Sequence, residues 1–239
     1  MKKNIIGLDL ETIPRFDANL IKKYESEKIQ KVLSNKTYKQ VTKDKKIEEI
    51  KDAFTELSIG VIGEITKGMI KDFSVDPLKN KICAIGMCYR DLDGELIKIS
   101  LASENEFELV KLFVDTVNET MVSIGKDPIF AGHYICQFDI PTLRIAVIRN
   151  NLVGEIRNIR LKDRDCLFPI SKYNSSYIDS INIFNSKLDN ISMAITGENK
   201  IDNGSEVYSM YQNKQFNRMN EYVIDDAVKA FINIEKLTM

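Results

Sequence analysis

Residues 81–90, KICAIGMCYR, are apolar at nearly every position. A strand of that kind is buried on both faces and belongs inside a sheet with cover on each side. The turn DLDG (91–94) and the alternating ELIKISLA (95–102) complete a hairpin with it. ENEFELVKLFVDTVNETMV (104–122) repeats apolar residues at helical spacing, with Ser103 or Asn105 near its start. A short strand, PIFAGH (128–133), precedes a helix through DIPTLRIAVIRN (139–150), whose first turn tolerates Pro141. FNRMNEYVIDDAVKAFINIEKL (216–237) reads as a closing helix, residues 4–11 as the opening strand, and 151–215 resist a firm parse. The order predicts an α/β domain with a mixed central sheet flanked by helices.

Between the first two strands, residues 15–76 read differently: polar, lysine-rich and helical in runs such as KKIEEIKDAF (45–54) and SIGVIGEITKGMIKDF (58–73). Ten lysines stand against five acids from 22 to 51. That excess suits a solvated helical face or a surface that holds a polyanion. The gap is long enough to mark an insertion or lid within a single domain spanning 1–239. The whole chain has a formal net charge of −1, which neither announces a nucleic-acid partner nor excludes one. Four cysteines without a CxxC pair, and a single histidine, His133, argue against a Cys/His zinc site and favour reduced thiols. The N-terminal apolar run is cut short by Asp9 and no stretch is long enough to span a bilayer. A cytoplasmic protein without membrane association is expected.

Acids stand where stability alone would not place them. Asp9 and Glu11, in NIIGLDLETIP (4–14), share one strand face about 6–7 Å apart. Either the strand frays into a polar turn before Pro14, or something positive sits between them. Asp139, after Phe138, suits a helix N-cap as well as a metal ligand. Tyr222 and Asp226, four apart in EYVIDDAVKAF (221–231), share a helical face. A tyrosine at the rim of the core beside a solvated Asp-Asp pair would look the same. Taken together, four oxygen ligands on two strand ends and two helices could hold two Mg²⁺ or Mn²⁺ ions about 3.5–4 Å apart. A phenol on the same face could orient or deprotonate an attacking water.

These residues resemble the motifs of the 3′–5′ exonucleases of the DEDD (DnaQ-like) superfamily, which share a ribonuclease-H-like fold. LDLET (8–12), GHYICQFD (132–139) and YVIDD (222–226) stand for its three motifs. The tyrosine and the absence of a histidine five before Asp226 favour the DEDDy branch. The nearest likeness is to free-standing exonucleases related to the proofreading domain of family-B DNA polymerases. PLKNKICAIGM (77–87) looks like the family's second strand and YIDSINIF (177–184) like its Asp-containing segment before the third motif. Tyr134 stands where the family often has Asn, and could stack on a base. The 15–76 segment exceeds the family's usual link and could cover the site.

The resemblance implies that Asp9 bridges two divalent cations, Mg²⁺ or Mn²⁺. Glu11 and Asp226 would hold the ion that activates water, Asp139 would support the other, and Tyr222 would orient the nucleophile. Leu10, Thr12, His133, Tyr134 and Phe138 would bind substrate, His133 by packing or hydrogen bonding rather than as a base. The expected reaction is removal of nucleoside 5′-monophosphates from a single-stranded 3′ end, DNA favoured over RNA. A polymerase or repair proteins are candidate partners. The competing readings are a non-catalytic nucleic-acid-binding module and a proofreading subunit acting in trans.

Overall fold

The computed structural model describes residues 5–58, 63–124, 129–155, 177–198 and 204–238. It divides into two compact units, one of residues 1–13 with 81–239 and the other of Pro14–Asn80.

The larger unit is built on five strands: β1 (Ile5–Pro14), β2 (Asn80–Arg90), β3 (Leu96–Ala102), β4 (Ile129–Gly132) and β5 (Tyr177–Asp179). They lie in the order β3-β2-β1-β4-β5. β2 and β3 are antiparallel, while β1–β4 and β4–β5 are parallel. The sheet is therefore mixed and flanked by helices, an arrangement consistent with a ribonuclease-H-like fold. β1 pairs in the middle of it, with Ile6 opposite Phe130 and Gly7 opposite Ala131.

The two faces of β1 are covered differently. Ile6, Leu8 and Leu10 pack into a core with α4 (Glu106–Ile124) and α5 (Asp139–Arg149). α4 contributes Leu109, Val110, Phe113, Val114 and Val117, all without exposed surface. Each such side chain stabilises the fold by about 1.5–3 kcal/mol. Glu106 joins three elements on this side, accepting from Ile82 N–H on β2 and from Arg149 and Asn150 at the end of α5. Asn105, one of the two expected start residues of α4, accepts the Phe107 N–H, and Ser103 accepts that of Asn105.

The other face of β1 carries Ile5, Gly7, Asp9, Glu11 and Ile13, and it is covered by the closing helix α9 (Phe216–Thr238). α9 turns the stripe Met219, Tyr222, Val223, Asp226, Ala227, Ala230, Phe231 and Ile234 inward, every member buried. That is the i, i+3, i+4 pattern of a core-facing helix, with one acid inside it. Of the stretch 151–215 that the sequence left unparsed, residues 156–176 and 199–203 lie outside the described residues, and the rest includes β5 and the short helices α6 (Ser180–Phe184), α7 (Leu188–Thr196) and α8 (Val207–Gln212).

One boundary differs from expectation in an informative way. β1 does not end at Glu11 but runs to Pro14, because Thr12, Ile13 and Pro14 are all buried. Ile13 packs with Val207, Met210 and Met219. The two carboxylates therefore lie inside a strand, and the fraying explanation for them falls.

The smaller unit holds α1 (Ala18–Ser34), α2 (Gln40–Ser58) and α3 (Glu64–Ser74). Asp17 caps α1 by accepting the N–H groups of Asn19 and Leu20. Its core is small: Tyr24, Ile50, Phe54, Met69 and Phe73, with Tyr24 edge-on to Phe73 at 5.3 Å and its hydroxyl on Asp72. The unit begins and ends at one place, since Arg15 N–H donates to Lys79 C=O at 2.8 Å. Among the described residues no helix is long and apolar enough to cross a membrane. Cys83, Cys88 and Cys136 are in no disulfide, and the first two are buried; Cys166 lies outside the described residues.

Candidate metal centre

The site begins with a close approach of backbones. A Cβ at Gly86 of β2 would lie 2.5 Å from the Val223 carbonyl oxygen, and one at Gly7 of β1 would lie 2.9 Å from that of Ala227. Glycine at both positions lets α9 sit directly on the sheet. Two thiols fill the same seam: Cys83 donates to Glu11 C=O at 3.3 Å and Cys88 to Ala227 C=O at 3.6 Å. Burial pushes the Cys83 thiol well up, the Glu11 charge adding to it, so it stays a neutral donor.

With α9 this close, its Asp226 meets the acids of β1. One carboxylate oxygen each from Asp9, Glu11 and Asp226 lies within 4.8 Å of the others. Asp226 is 3% exposed, and Asp9 and Glu11 are half-buried. At that separation each pair of charges repels by about 3 kcal/mol at an effective dielectric of 20. Three such pairs rival the entire stability of an ordinary domain. Charge of the opposite sign resolves this, and an all-oxygen donor set fits a hard divalent cation. Asp225 points elsewhere, onto the buried ammonium of Lys229 at 2.5 Å, so the neighbouring acids of the Asp-Asp pair have separate environments.

Tyr222, one turn before Asp226, is 2% exposed, inside the core rather than at its rim. Its hydroxyl is hydrogen-bonded to Asp226. Burial raises the phenol above its ordinary value, and the charges of Glu11, Asp226 and Asp9 raise it further. It stands as a neutral hydroxyl against three acids.

Asp139 is brought near by a different route. It is the first residue of α5, after Phe138, which makes no side-chain cap. The capping reading of Asp139 is therefore corrected: its side chain turns inward, 2% exposed, instead of closing its own helix. Its carboxylate accepts the Leu10 backbone N–H, between the two acids of β1. Burial, and then the charge of Asp179, hold its carboxyl well above the usual carboxylate range. One oxygen, Oδ1, is buried without a hydrogen-bond partner. Asp139 stands outside the set of three oxygens within 4.8 Å.

The remaining predicted positions lie on β1 and in the segment between β4 and α5. The Leu10 side chain packs into the α4–α5 core and offers the site only its backbone. Thr12 is buried on the same strand. β4 ends at Gly132, where a Cβ would meet Leu8 C=O at 2.8 Å and Ile135 Cβ at 2.9 Å. The chain then turns through Tyr134 at φ 61°, a left-handed conformation unfavourable for a bulky side chain. The Tyr134 ring is 50% exposed and edge-on to His133 at 5.0 Å. His133 Nδ1 is hydrogen-bonded to Ser180 Oγ at 2.8 Å, and Phe138 is half-buried.

Asp179, at the end of β5, explains how that strained turn persists. It is 3% exposed and accepts three backbone N–H groups: Tyr134 at 2.9 Å, Cys136 at 3.1 Å and Ile181 at 3.3 Å. The Asp-containing segment is visible in the sequence and its bond to Ile181 is a local cap, but Tyr134 and Cys136 lie more than forty positions upstream, so the anchoring of the turn has no local signature. Hydrogen bonds to a charged acceptor contribute about 1.5–3 kcal/mol each. Asp179→Ala is expected to lower stability by about 3 kcal/mol or more, read from urea denaturation of the full chain. A variant with an unchanged midpoint would show that the turn holds itself.

Compared by sequence, the chain matches no protein-family profile and no curated protein. Compared by structure, it is similar to the family B DNA polymerase from the hyperthermophilic archaeon Pyrobaculum calidifontis, with a TM-score of 0.51 and 21% identity. The match covers 68% of this chain and 22% of the polymerase. The chain thus shares its fold with about a fifth of that much longer protein.

Proposed function

We propose that this chain is a metal-dependent 3′–5′ exonuclease that removes nucleoside 5′-monophosphates from single-stranded nucleic acid, DNA favoured. The observation that carries the reading is the meeting of Asp9, Glu11 and Asp226 within 4.8 Å beneath a buried tyrosine. The ordered DEDDy-like motifs and a fold shared with part of a family B DNA polymerase support it.

In this reading Asp9, Glu11 and Asp226 would hold Mg²⁺ or Mn²⁺, and Asp139, with its buried Oδ1, would support a second ion. Such ions, when bound, generate a nucleophile at neutral pH and neutralise charge on the attacking and leaving oxygens. The chain's own residues do the positioning. Asp9 and Glu11 are set by the pleat of a central strand and Asp226 by the glycine-lined seam, so the acceptors are fixed before substrate arrives. Tyr222, neutral and braced on Asp226, offers a hydroxyl to orient the attacking water. Tyr134, half-exposed on the turn that Asp179 holds, presents a ring face on which the terminal base stacks.

The test is digestion of oligonucleotides labelled at the 5′ end, matched as ssDNA, dsDNA and RNA, in Mg²⁺, in Mn²⁺ and in EDTA. Stepwise shortening from the 3′ end that EDTA abolishes is expected, fastest on ssDNA, with Asp9→Ala inactive. Tight strand binding without cleavage in either metal would replace this reading with that of a non-catalytic binding module.

A further inference from the structure

The smaller unit, Pro14–Asn80, carries a feature that the metal centre does not use. Between Lys28 and Lys46 the chain has seven lysines and one acid, Asp44, whose carboxylate is taken by the Gln40 side-chain amide at 2.7 Å. This stretch spans the end of α1, the turn and the first third of α2, which pack against each other. A long run of exposed lysine ordinarily means a solvated helix face. Here the run folds around a concavity of about 450 Å³, lined among others by Lys28, Lys31, Asn35, Tyr38 and Lys46.

The turn that shapes this cavity is built, not slack. Asn35 Oδ1 accepts both the backbone N–H and the hydroxyl of Thr37, at 2.9 and 2.6 Å. Lys43 Nζ reaches back to Leu33 C=O at 2.7 Å. These bonds set Tyr38, the next residue, at the cavity wall, and Lys46 Nζ lies 5.2 Å from the centroid of its ring. Lys28 Nζ lies similarly over Tyr24 at 4.9 Å. The acids on the lining, Glu49 and Glu64, are both exposed, and Glu49 faces Lys45 at 3.9 Å. The result is a recess with three ammonium groups, an amide and an aromatic ring, against two exposed carboxylates, Glu49 and Glu64.

We infer that this recess binds a stretch of single-stranded nucleic acid, its phosphates on Lys28, Lys31 and Lys46 and a base against Tyr38. Lysines neutralise a polyanion, and a fixed ring adds the sequence-tolerant stacking that single strands provide and acidic peptides do not. The choice of nucleic acid as occupant rests on the exonuclease reading, while the site belongs wholly to the smaller unit.

The experiment is fluorescence anisotropy of a fluorescein-labelled oligothymidylate with the full chain in EDTA, where cleavage is silent. The triple variant Lys28→Gln, Lys31→Gln, Lys46→Gln is expected to bind at least tenfold more weakly. Its slope of log affinity against log salt should fall by about 2, since each phosphate contact on a single strand contributes about 0.7. A control triple of the same charge change outside the recess, Lys22→Gln, Lys23→Gln, Lys51→Gln, should weaken binding less than threefold. Tyr38→Ala should weaken it roughly fivefold or more while Tyr38→Phe retains it, and thermal melts establish that each variant folds. Equal losses in the two triples, no loss in either, or displacement of the strand by oligoglutamate as readily as by unlabelled strand would overturn the proposal. A wild-type chain that binds in this manner but never cleaves would leave the recess standing and remove the exonuclease reading. Cleavage with recess variants that bind like wild type would do the reverse.

Discussion

Asp9→Asn is expected to melt at a higher temperature than the wild-type chain in EDTA and at a lower one in manganese. The crossing follows from the three carboxylate oxygens within 4.8 Å. Without a cation, replacing Asp9 removes two repelling pairs, each about 3 kcal/mol at an effective dielectric of 20, less for the solvent that reaches the half-buried strand acids. A rise of a few degrees remains. With manganese at about 100 times its dissociation constant, the wild-type chain gains roughly 2.7 kcal/mol, or about 5–10 °C for a domain of this size. The variant, having lost a ligand, gains little. Turnover of an end-labelled strand should fall by at least about a thousandfold, because the change removes charge from the reacting centre and not volume from the core. Thermal melts in the two buffers check the first claim independently of activity. Identical shifts for wild type and variant would mean that these oxygens do not hold the ion.

Gly86→Ala should damage stability and turnover together. The added methyl would sit 2.5 Å from the Val223 carbonyl oxygen and 2.7 Å from its carbon, both backbone atoms that cannot rotate away. α9 has to move off β2, and Val223 lies between Tyr222 and Asp226 on that helix. Overpacking of this kind costs about 3 kcal/mol, a fall of roughly 6–12 °C in Tm. A displacement near 1 Å at Asp226 would lower kcat by about a hundredfold. Gly7→Ala, which meets Phe231 Cβ at 2.7 Å and Ala227 C=O at 2.9 Å, should behave in the same way. A Gly86→Ala protein that melts and cleaves like wild type would show that α9 does not need its closeness to the sheet.

The hairpin was readable because a short apolar run and an alternating strand flank the turn DLDG. KICAIGMCYR and the alternating ELIKISLA give the hairpin directly, and period-two spacing puts Asp9 and Glu11 on one face. The inward stripe of α9, with Asp226 in register and Asp225 out of it, follows from helical spacing in the same way. Boundaries failed where polarity misleads. Glu11 and Thr12 looked like a strand end, yet Ile13 continues the burial two residues further. Asp139 looked like a cap because Asp before a helix usually is one, and only the fold supplies the Leu10 N–H that draws it inward. The stretch after 177 resisted parsing because its helices α6–α8 are five to nine residues long. Left-handed residues, Asn185 at φ 48° and Gly197 at φ 78°, end the first two of them. Periodicity cannot declare itself over so few turns. Asp179 could be seen but not understood, since its role is set by turn residues from a distant part of the chain.

The backbone bond between Arg15 and Lys79 makes the intervening helical unit removable in principle. Chain enters and leaves it at one point, and β1 and β2 are neighbours in the sheet. Replacing the unit by a short turn would join two strands that are neighbours in the sheet.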